Sequence, residues 1–445
     1  MNTNVKLLGM TVMLSMTFAA CSNDELMERN HHDAPISFTT QVMTRATEIK
    51  LEHLKAFRVY ADAVGYDKMF IDGDIAKKSE ESNTYTLQNS QDENYFWPSD
   101  VDKIQFWAYG PAGCEGDYAK YNINIVPNIT ANGQTFGDFT PTVDMKAGGK
   151  NHQDFVVAYT EAVRSETSGM KVKLDFKHAL SQILVNATCG AGRNVSIKGA
   201  WLMNAYGSGK LTFNNKKADN GEGFDGLKYK NYMEWAYADK KQNNYGVAFD
   251  NPENLEQSKR SLISNQNSLM LIPQEIKKQD ITKDSKVEDY KGAYILLLCR
   301  VEVVHPGAIH KDGEENNLAA ETEDTQTHIH QLFPVNTDER DTKEYGYTCV
   351  PIELDWQPGV KYAYNLNFCG ANSGAGIYPP DGVENIEGLP KSDGNLTIVK
   401  RPEGKNPGDL VLDAPITFEV SVGGWEPVND KDENTGENNQ DTPMN

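Results

Sequence analysis

One cysteine, one arginine, two pairs of histidines and a few aromatics carry what chemistry this sequence offers. Cys21 follows Phe18-Ala19-Ala20 at the end of an apolar run, Leu7 to Ala20, with Lys6 ahead of it. The run is too short for a bilayer span and suits the core of a signal peptide over residues 1–20. Small residues before a cysteine are what a lipoprotein signal peptidase admits, and the thiol takes the lipid. Cys21 is therefore the expected lipidation site, although Phe18 stands where leucine is usual. Acyl chains bury CH₂ groups at about 0.8 kcal/mol each, so the lipid would tie the chain to a membrane that it does not cross. Farther on, Arg45 and Ala46 end an alternating apolar run and form a candidate proteolytic site.

The other chemistry-bearing groups have plainer readings. His178 lies among strand residues and reads as a hydrogen-bonded structural histidine. His328 and His330 are two apart and would share a strand face, and His31 and His32 are adjacent. Neither pair has a clear third ligand, so no metal and no cofactor is expected. Asp72-Gly73-Asp74 is too short for a calcium loop and reads as a turn. There is no G-x-S-x-G, P-loop, H-E-x-x-H or dinucleotide fingerprint. Acidic residues are so numerous that choosing two as a glycosidase pair carries no weight. No catalytic residue is assigned, and the chain reads as a non-enzyme. Tyr229, Tyr232, Trp235 and Tyr237 form an aromatic cluster. In an exposed loop it would stack on sugar rings or a host protein. Its alternative is to cover an edge of a sheet.

These residues need elements to position them, and the elements read as strands. Alternation or short apolar runs mark Leu54 to Tyr60, Lys103 to Tyr109, Asp154 to Tyr159, Lys171 to Phe176 and Gln182 to Thr188. Further strands are expected at Ser196 to Met203, Ser268 to Ile272, Tyr294 to Val304, Thr348 to Leu354, Tyr362 to Phe368 and Ile416 to Val422. Polar turns such as Gly110-Pro111 and Pro358-Gly359 separate them. Many short strands with polar turns indicate an all-β protein built of sandwiches. Two long polar stretches, Pro306 to Tyr345 and Gly370 to Asp409, read as functional or mobile loops.

Length, charge and cysteines set limits. The 445 residues suffice for two domains. A net charge of −21 repels phosphate, which argues against nucleic acid and against electrostatic docking on anionic lipid. Beyond Cys21, the cysteines Cys114, Cys189, Cys299, Cys349 and Cys369 lack C-x-x-C spacing, and their pairing stays open.

A short repeat joins the two ends. Asp33-Ala34-Pro35-Ile36-Ser37-Phe38 returns as Asp413-Ala414-Pro415-Ile416-Thr417-Phe418. Each copy opens an alternating run, one presenting Ile36, Phe38, Thr40 and Val42, the other Ile416, Phe418, Val420 and Val422. Alternate side chains share a face, so both runs could lay a similar row into a similar groove. With Arg45 closing the first run, the pattern suggests a chain that loses one terminal strand and receives another subunit's.

Several motifs resemble those of the Bacteroidales fimbrillin-like family. They are Tyr95-Phe96-Trp97-Pro98 with Ile104 to Pro111, Gln153 to Ala158, Val172 to Gln182, Leu269 to Gln274 and Trp356 to Tyr364. Ser22-Asn23-Asp24-Glu25 resembles the acidic signal that takes Bacteroidetes lipoproteins to the cell surface. The resemblance implies a type V pilus subunit with two transthyretin-like Greek-key β-sandwich domains in tandem. It implies a lipoprotein precursor in the outer membrane, exposed at the surface, that is cut after Arg45. The cut would remove the strand of Ile36, Phe38, Thr40 and Val42, and a neighbouring pilin's strand would fill the groove by donor-strand exchange. Residues 1–20 are then the signal peptide and 21–45 a leader with the removable strand. Residues 46–168 and 169–428 are the two sandwich domains, and 429–445 a disordered acidic tail. The expected role is a structural or tip subunit, an adhesin toward a host protein or glycan. The alternative is a surface glycan-binding lipoprotein of a polysaccharide-uptake system.

Overall fold

A computed structural model describes residues 34–42, 54–113, 123–213, 233–306, 318–321, 327–335 and 341–424, apart from 81, 83, 90, 124, 131–132, 238–239 and 265–266. The first strands are β1 (Ser37–Val42), β2 (Ala56–Ala63), β3 (Ile71–Lys78), β4 (Thr84–Leu87), β5 (Lys103–Gly110), β6 (Val126–Thr130), β7 (Gly133–Phe139), β8 (Val156–Val163) and β9 (Lys171–His178). Next come β10 (Ser181–Cys189), β11 (Arg193–Tyr206), β12 (Gly209–Phe213), β13 (Met233–Ala236), β14 (Gln242–Leu255), β15 (Arg260–Ile263), β16 (Leu269–Leu271) and β17 (Glu275–Ile276). The last are β18 (Tyr294–Pro306), β19 (Leu318–Glu321), β20 (Thr327–Phe333), β21 (Glu344–Pro351), β22 (Leu354–Asp355), β23 (Val360–Phe368), β24 (Thr397–Ile398) and β25 (Thr417–Gly424). Among the described residues the helical turns are short 3-10 segments, and the protein is all-β as expected.

The first unit closes on itself in the order β1-β4-β3-β2-β5-β8-β9. Its alternation is visible in β9, where Val172, Leu174 and Phe176 are buried. The closing strand is β1, antiparallel to β4 and parallel to β9. Ile36 and Phe38 are 1% and 0% exposed. The Phe38 ring meets Phe57 and Phe106 edge-on at 6.0 and 5.7 Å between centroids. Fully burying side chains of this size contributes about 1.5–3 kcal/mol each. The expected break at 168/169 falls ahead of β9, which pairs with β1 and β8, so the first barrel runs on to His178.

The second unit is a sandwich. One sheet runs β15-β10-β23-β25 with β16 also on β10. The other runs β14-β11-β18-β20-β19, with β21 also on β18. Ile183, Val185, Tyr362 and Leu366 from the first sheet meet Val195, Ile197, Ile295 and Leu297 from the second in one core. Two expectations change here. Pro306 to Tyr345 contains β19 and β20, whose buried positions include His328 and His330, so no apolar row marked them. Gly370 to Asp409 packs down as a coat, with Val383, Leu389 and Leu396 joining a second core layer under Trp201 and Leu296. Backbone bonds such as Gly374 N to Pro415 O, 2.9 Å, pin it.

Full burial of Phe38 and partial burial of its repeat counterpart Phe418 predict unequal penalties. Phe38→Ala should destabilise the first unit by roughly 3–5 kcal/mol, and Phe418→Ala should cost the second unit roughly half that or less. Urea titrations followed by near-UV circular dichroism would check the order, and equal losses would contradict it.

Candidate functional site

The site of interest is the slot that β1 occupies. Its walls are Thr84, Tyr85 and Thr86 of β4, in antiparallel register with Thr39, Phe38 and Ser37. On the other side Lys171 to Phe176 of β9 run parallel to Ser37 to Val42. The ladder from β9 to β8 covers only His178 and Lys177, so β1 is the principal backbone partner of β9. Outside the ladder, the Ile36 amide donates to the Tyr95 carbonyl at 2.8 Å, and Tyr95 in turn donates to Asp74. Tyr85 donates to the Leu54 carbonyl at 2.7 Å and so fixes the rim. The floor is apolar and aromatic, with Phe57 stacked edge-on against Phe176 at 5.0 Å. Thr40 lies over this row half-buried, while the Val42 side chain lies outside the described residues.

The repeat's second copy sits in a different setting. β25 pairs antiparallel with β23 from Asn367↔Thr417 to Val360↔Gly424 and is the last strand of its sheet. Ile416 is buried, whereas Phe418, Val420 and Val422 are half-buried against the core. Ser421 accepts from Asn365 at 2.9 Å and the Thr417 amide donates to Ser373 at 2.8 Å. An edge strand bonded on one side and half-covered is the kind of element that another sheet can recruit.

The two units are stitched by backbone. β6 and β7 of the N-terminal half and β12 and β13 of the C-terminal half form one sheet, β13-β12-β7-β6. Beneath it Phe136, Phe139, Phe155, Leu211, Phe213 and Ile272 share a cluster. Trp235 and Tyr237 are part of this seam rather than of an exposed loop. Trp235 donates to the Ala179 carbonyl at 2.9 Å and packs on Phe139, and Tyr237 donates to the Pro273 carbonyl. Burial pushes the Tyr237 hydroxyl pKa up. Their partners Tyr229 and Tyr232 lie outside the described residues, as do Cys21, Arg45 and Ala46.

The remaining expectations fall as follows. His178 is buried, with Nδ1 3.1 Å from Asp154. Cys189, Cys299 and Cys349 are buried free thiols and Cys369 is a half-buried one. Burial raises the thiol pKa of Cys189, to about 11, so it is a poor nucleophile. The spacing of His328 and His330 brings their Nε2 atoms to 2.7 Å. What sequence reasoning missed is His152. It sits at the seam, where the Met270 amide donates to its Nδ1 at 2.9 Å and Tyr245 meets its ring at 5.7 Å.

Comparison with known proteins agrees with the motifs. The model of a family described as fimbrillin-like matches residues 44–295. A curated relative, fimbrium subunit Fim1C of Phocaeicola vulgatus, is 29% identical over 195 residues, covering 39% of this chain and 48% of the relative. The chain thus spans about half the length of that relative. Among solved structures, one from Bacteroides ovatus, provisionally described as a cell adhesion protein, aligns at TM-score 0.38 and 16% identity over 76% of this chain and 93% of the other. Another so described, from Parabacteroides distasonis, aligns at TM-score 0.40 and 11% identity over 89% and 99%. Likeness at that level carries no weight, and the fold rests on the ladders above.

His152 gives the seam a pH dependence. Burial pushes its pKa down to about 4, against about 6.5 in an unfolded chain. Between those values the unfolded state binds the extra proton, so stability is complete above pH 6.5 and falls as pH drops toward 4. The difference amounts to about 3 kcal/mol. Denaturant midpoints should fall across that window and be flatter in His152→Asn, whose side-chain oxygen can still accept from Met270. An equal slope in both proteins would refute this.

Proposed function

This chain belongs to the fimbrillin-like family, and we propose that it is a non-enzymatic subunit of a surface fimbria that assembles by exchanging β-strands. In this reading Cys21 carries the lipid that holds the precursor at the outer membrane. Cleavage after Arg45 then frees the strand of Ile36, Phe38, Thr40 and Val42. The vacated slot accepts a strand from another pilin, and the assembled subunit acts as stalk or as adhesive tip toward a host protein or glycan.

One observation supports this reading above the others. The strand that closes the first unit is covalently linked to the strands that follow through residues 43–53, and Arg45 lies in that link. Its loss would expose an aromatic floor and two ladder edges, on β4 and β9. Unmet backbone groups are costly in a buried groove, so the opened unit is strongly driven to take in a strand. Backbone bonds give such a joint affinity, and alternate side chains filling pockets give it selectivity.

The repeat supports β25 as the strand that is given. It places Ile416, Phe418, Val420 and Val422 where Ile36, Phe38, Thr40 and Val42 stand. Leaving home breaks one ladder, to β23, whereas entering the slot makes two. It also takes Phe418 from half-buried to the fully buried position held by Phe38. Removing β1 by proteolysis therefore makes the exchange downhill.

Two variants test the two halves of the proposal. Arg45→Ala should remain as monomer at the surface, without the detergent-resistant high-mass ladder of the unaltered chain. A chain lacking Ile416 to Asn445 should not polymerise with itself but should still accept a strand at the end of preformed assemblies. Polymer from the first variant would remove the cleavage step, and polymer from the second would remove the donor role of β25.

A further inference from the structure

We infer that Cys189 and Cys369 are a disulfide-forming pair that staples β10 to β23 at one end of their sheet. The two strands run parallel, and the register sets Cys189 opposite Phe368, the residue before Cys369. The pairing continues one step further, where the Gly190 amide donates to the Phe368 carbonyl at 2.8 Å. A strand spacing of about 4.8 Å and a rise of about 3.3 Å put the Cα atoms of Cys189 and Cys369 roughly 6 Å apart, inside the ~4.4–6.8 Å that a disulfide spans. The two backbones touch at this point, since a Cβ on Gly190 would lie 2.0 Å from the Cys369 carbonyl oxygen. In a continuing strand Cys369 would face away from the side on which Phe368 is buried. Its φ is 48° instead, a left-handed value uncommon for cysteine, and its side chain packs on the same core that holds Cys189 and Phe368. The two thiols also sense each other, because burial and then the charge of Cys369 raise the pKa of Cys189. The other described cysteines are placed differently. Cys299 belongs to the facing sheet, and sheets pack about 10 Å apart, beyond the reach of a disulfide. Cys349 is buried in the second core layer.

The chemistry is thiol–disulfide exchange. Cys369 is the half-buried member and meets an oxidant first. Its thiolate attacks the disulfide of a small oxidant such as oxidised glutathione, expels one thiol and leaves a mixed disulfide. Cys189 then gives up its proton, attacks the Cys369 sulfur and expels the second thiol. Two S–H bonds are replaced by one S–S bond, and the oxidant's disulfide takes up the two electrons and two protons as two thiols. The staple has a structural use. β23 carries β10 on one side and β25 on the other. The bridge lies at the end of β23 where β25 begins, beside the pair Asn367↔Thr417. When β25 leaves, the bridge would hold β23 on β10. That use rests on the donor role proposed for β25, whereas the pairing itself does not.

The test uses the full chain, reduced and then incubated with oxidised glutathione at about pH 8.5, where more of each thiol is ionised. Remaining thiols are alkylated in denaturant, and an unreduced digest is mapped by mass spectrometry. A peptide bearing Cys189 should be joined to one bearing Cys369, with Cys299 and Cys349 alkylated. The urea midpoint of the oxidised chain should drop on adding dithiothreitol, and that of Cys369→Ser should not move. Should Cys369→Ser fail to fold, the map of the unaltered chain still decides. Cys189 and Cys369 both alkylated after oxidation would overturn the inference. So would either of them joined to Cys114, to Cys299 or to a second chain. None of these results touches strand exchange, because the map does not read assembly.

Discussion

The placement of β1 between β4 and β9 is the interaction on which the rest depends. It closes the barrel, carries the fully buried Phe38 into the slot, and provides most of the backbone pairing of β9. A strand inserted between two others is more demanding than one at an edge, because both of its rows of N–H and C=O groups must be met. In the proposed exchange the same demand would pass to whatever strand replaced β1. On that proposal, stability of the closed chain and avidity of an opened one would be two expressions of one ladder.

If the slot is emptied as proposed, it needs a frame that does not collapse. The seam sheet supplies it by running backbone bonds from Thr135 and Phe136 of β7 to Thr212 and Leu211 of β12. Phe155, which contacts Phe136 at 5.4 Å, lies just ahead of β8, so the aromatic cluster under the seam packs against the barrel wall at Tyr109 of β5 and Val157 of β8. Trp235 belongs to this cluster, which fits the sheet-covering alternative for that aromatic rather than an exposed ligand-binding loop.

Much of the fold was legible because alternation survives in the strands that face one core. Lys171 to Phe176 reads as polar and apolar in turn, and its buried positions follow that reading. The short strands, their polar turns and the terminal repeat were local enough to be seen. Three things were not. The parallel pairing of β1 with β9 joins residues more than a hundred positions apart, and no local pattern encodes it. The seam sheet pairs strands from both halves across what reads as a domain boundary. The strand from Thr327 to Phe333 buries histidines, so a search for apolar rows passes over it, and the register that sets His305 and Glu321 beside His328 appears only once the strands are paired. Of the candidate site, the residues of the strand were readable, but the walls that receive it were not.

The central claim is that the chain gives up β1 and has the vacancy filled by another subunit's strand. Intact mass and N-terminal sequencing of the assembled protein shed from the cell surface test it most directly. The account predicts chains that begin at Ala46 in high-mass assemblies, with the leader strand gone. Assemblies whose chains still begin at an acylated Cys21 and retain Ile36 to Val42 would contradict it.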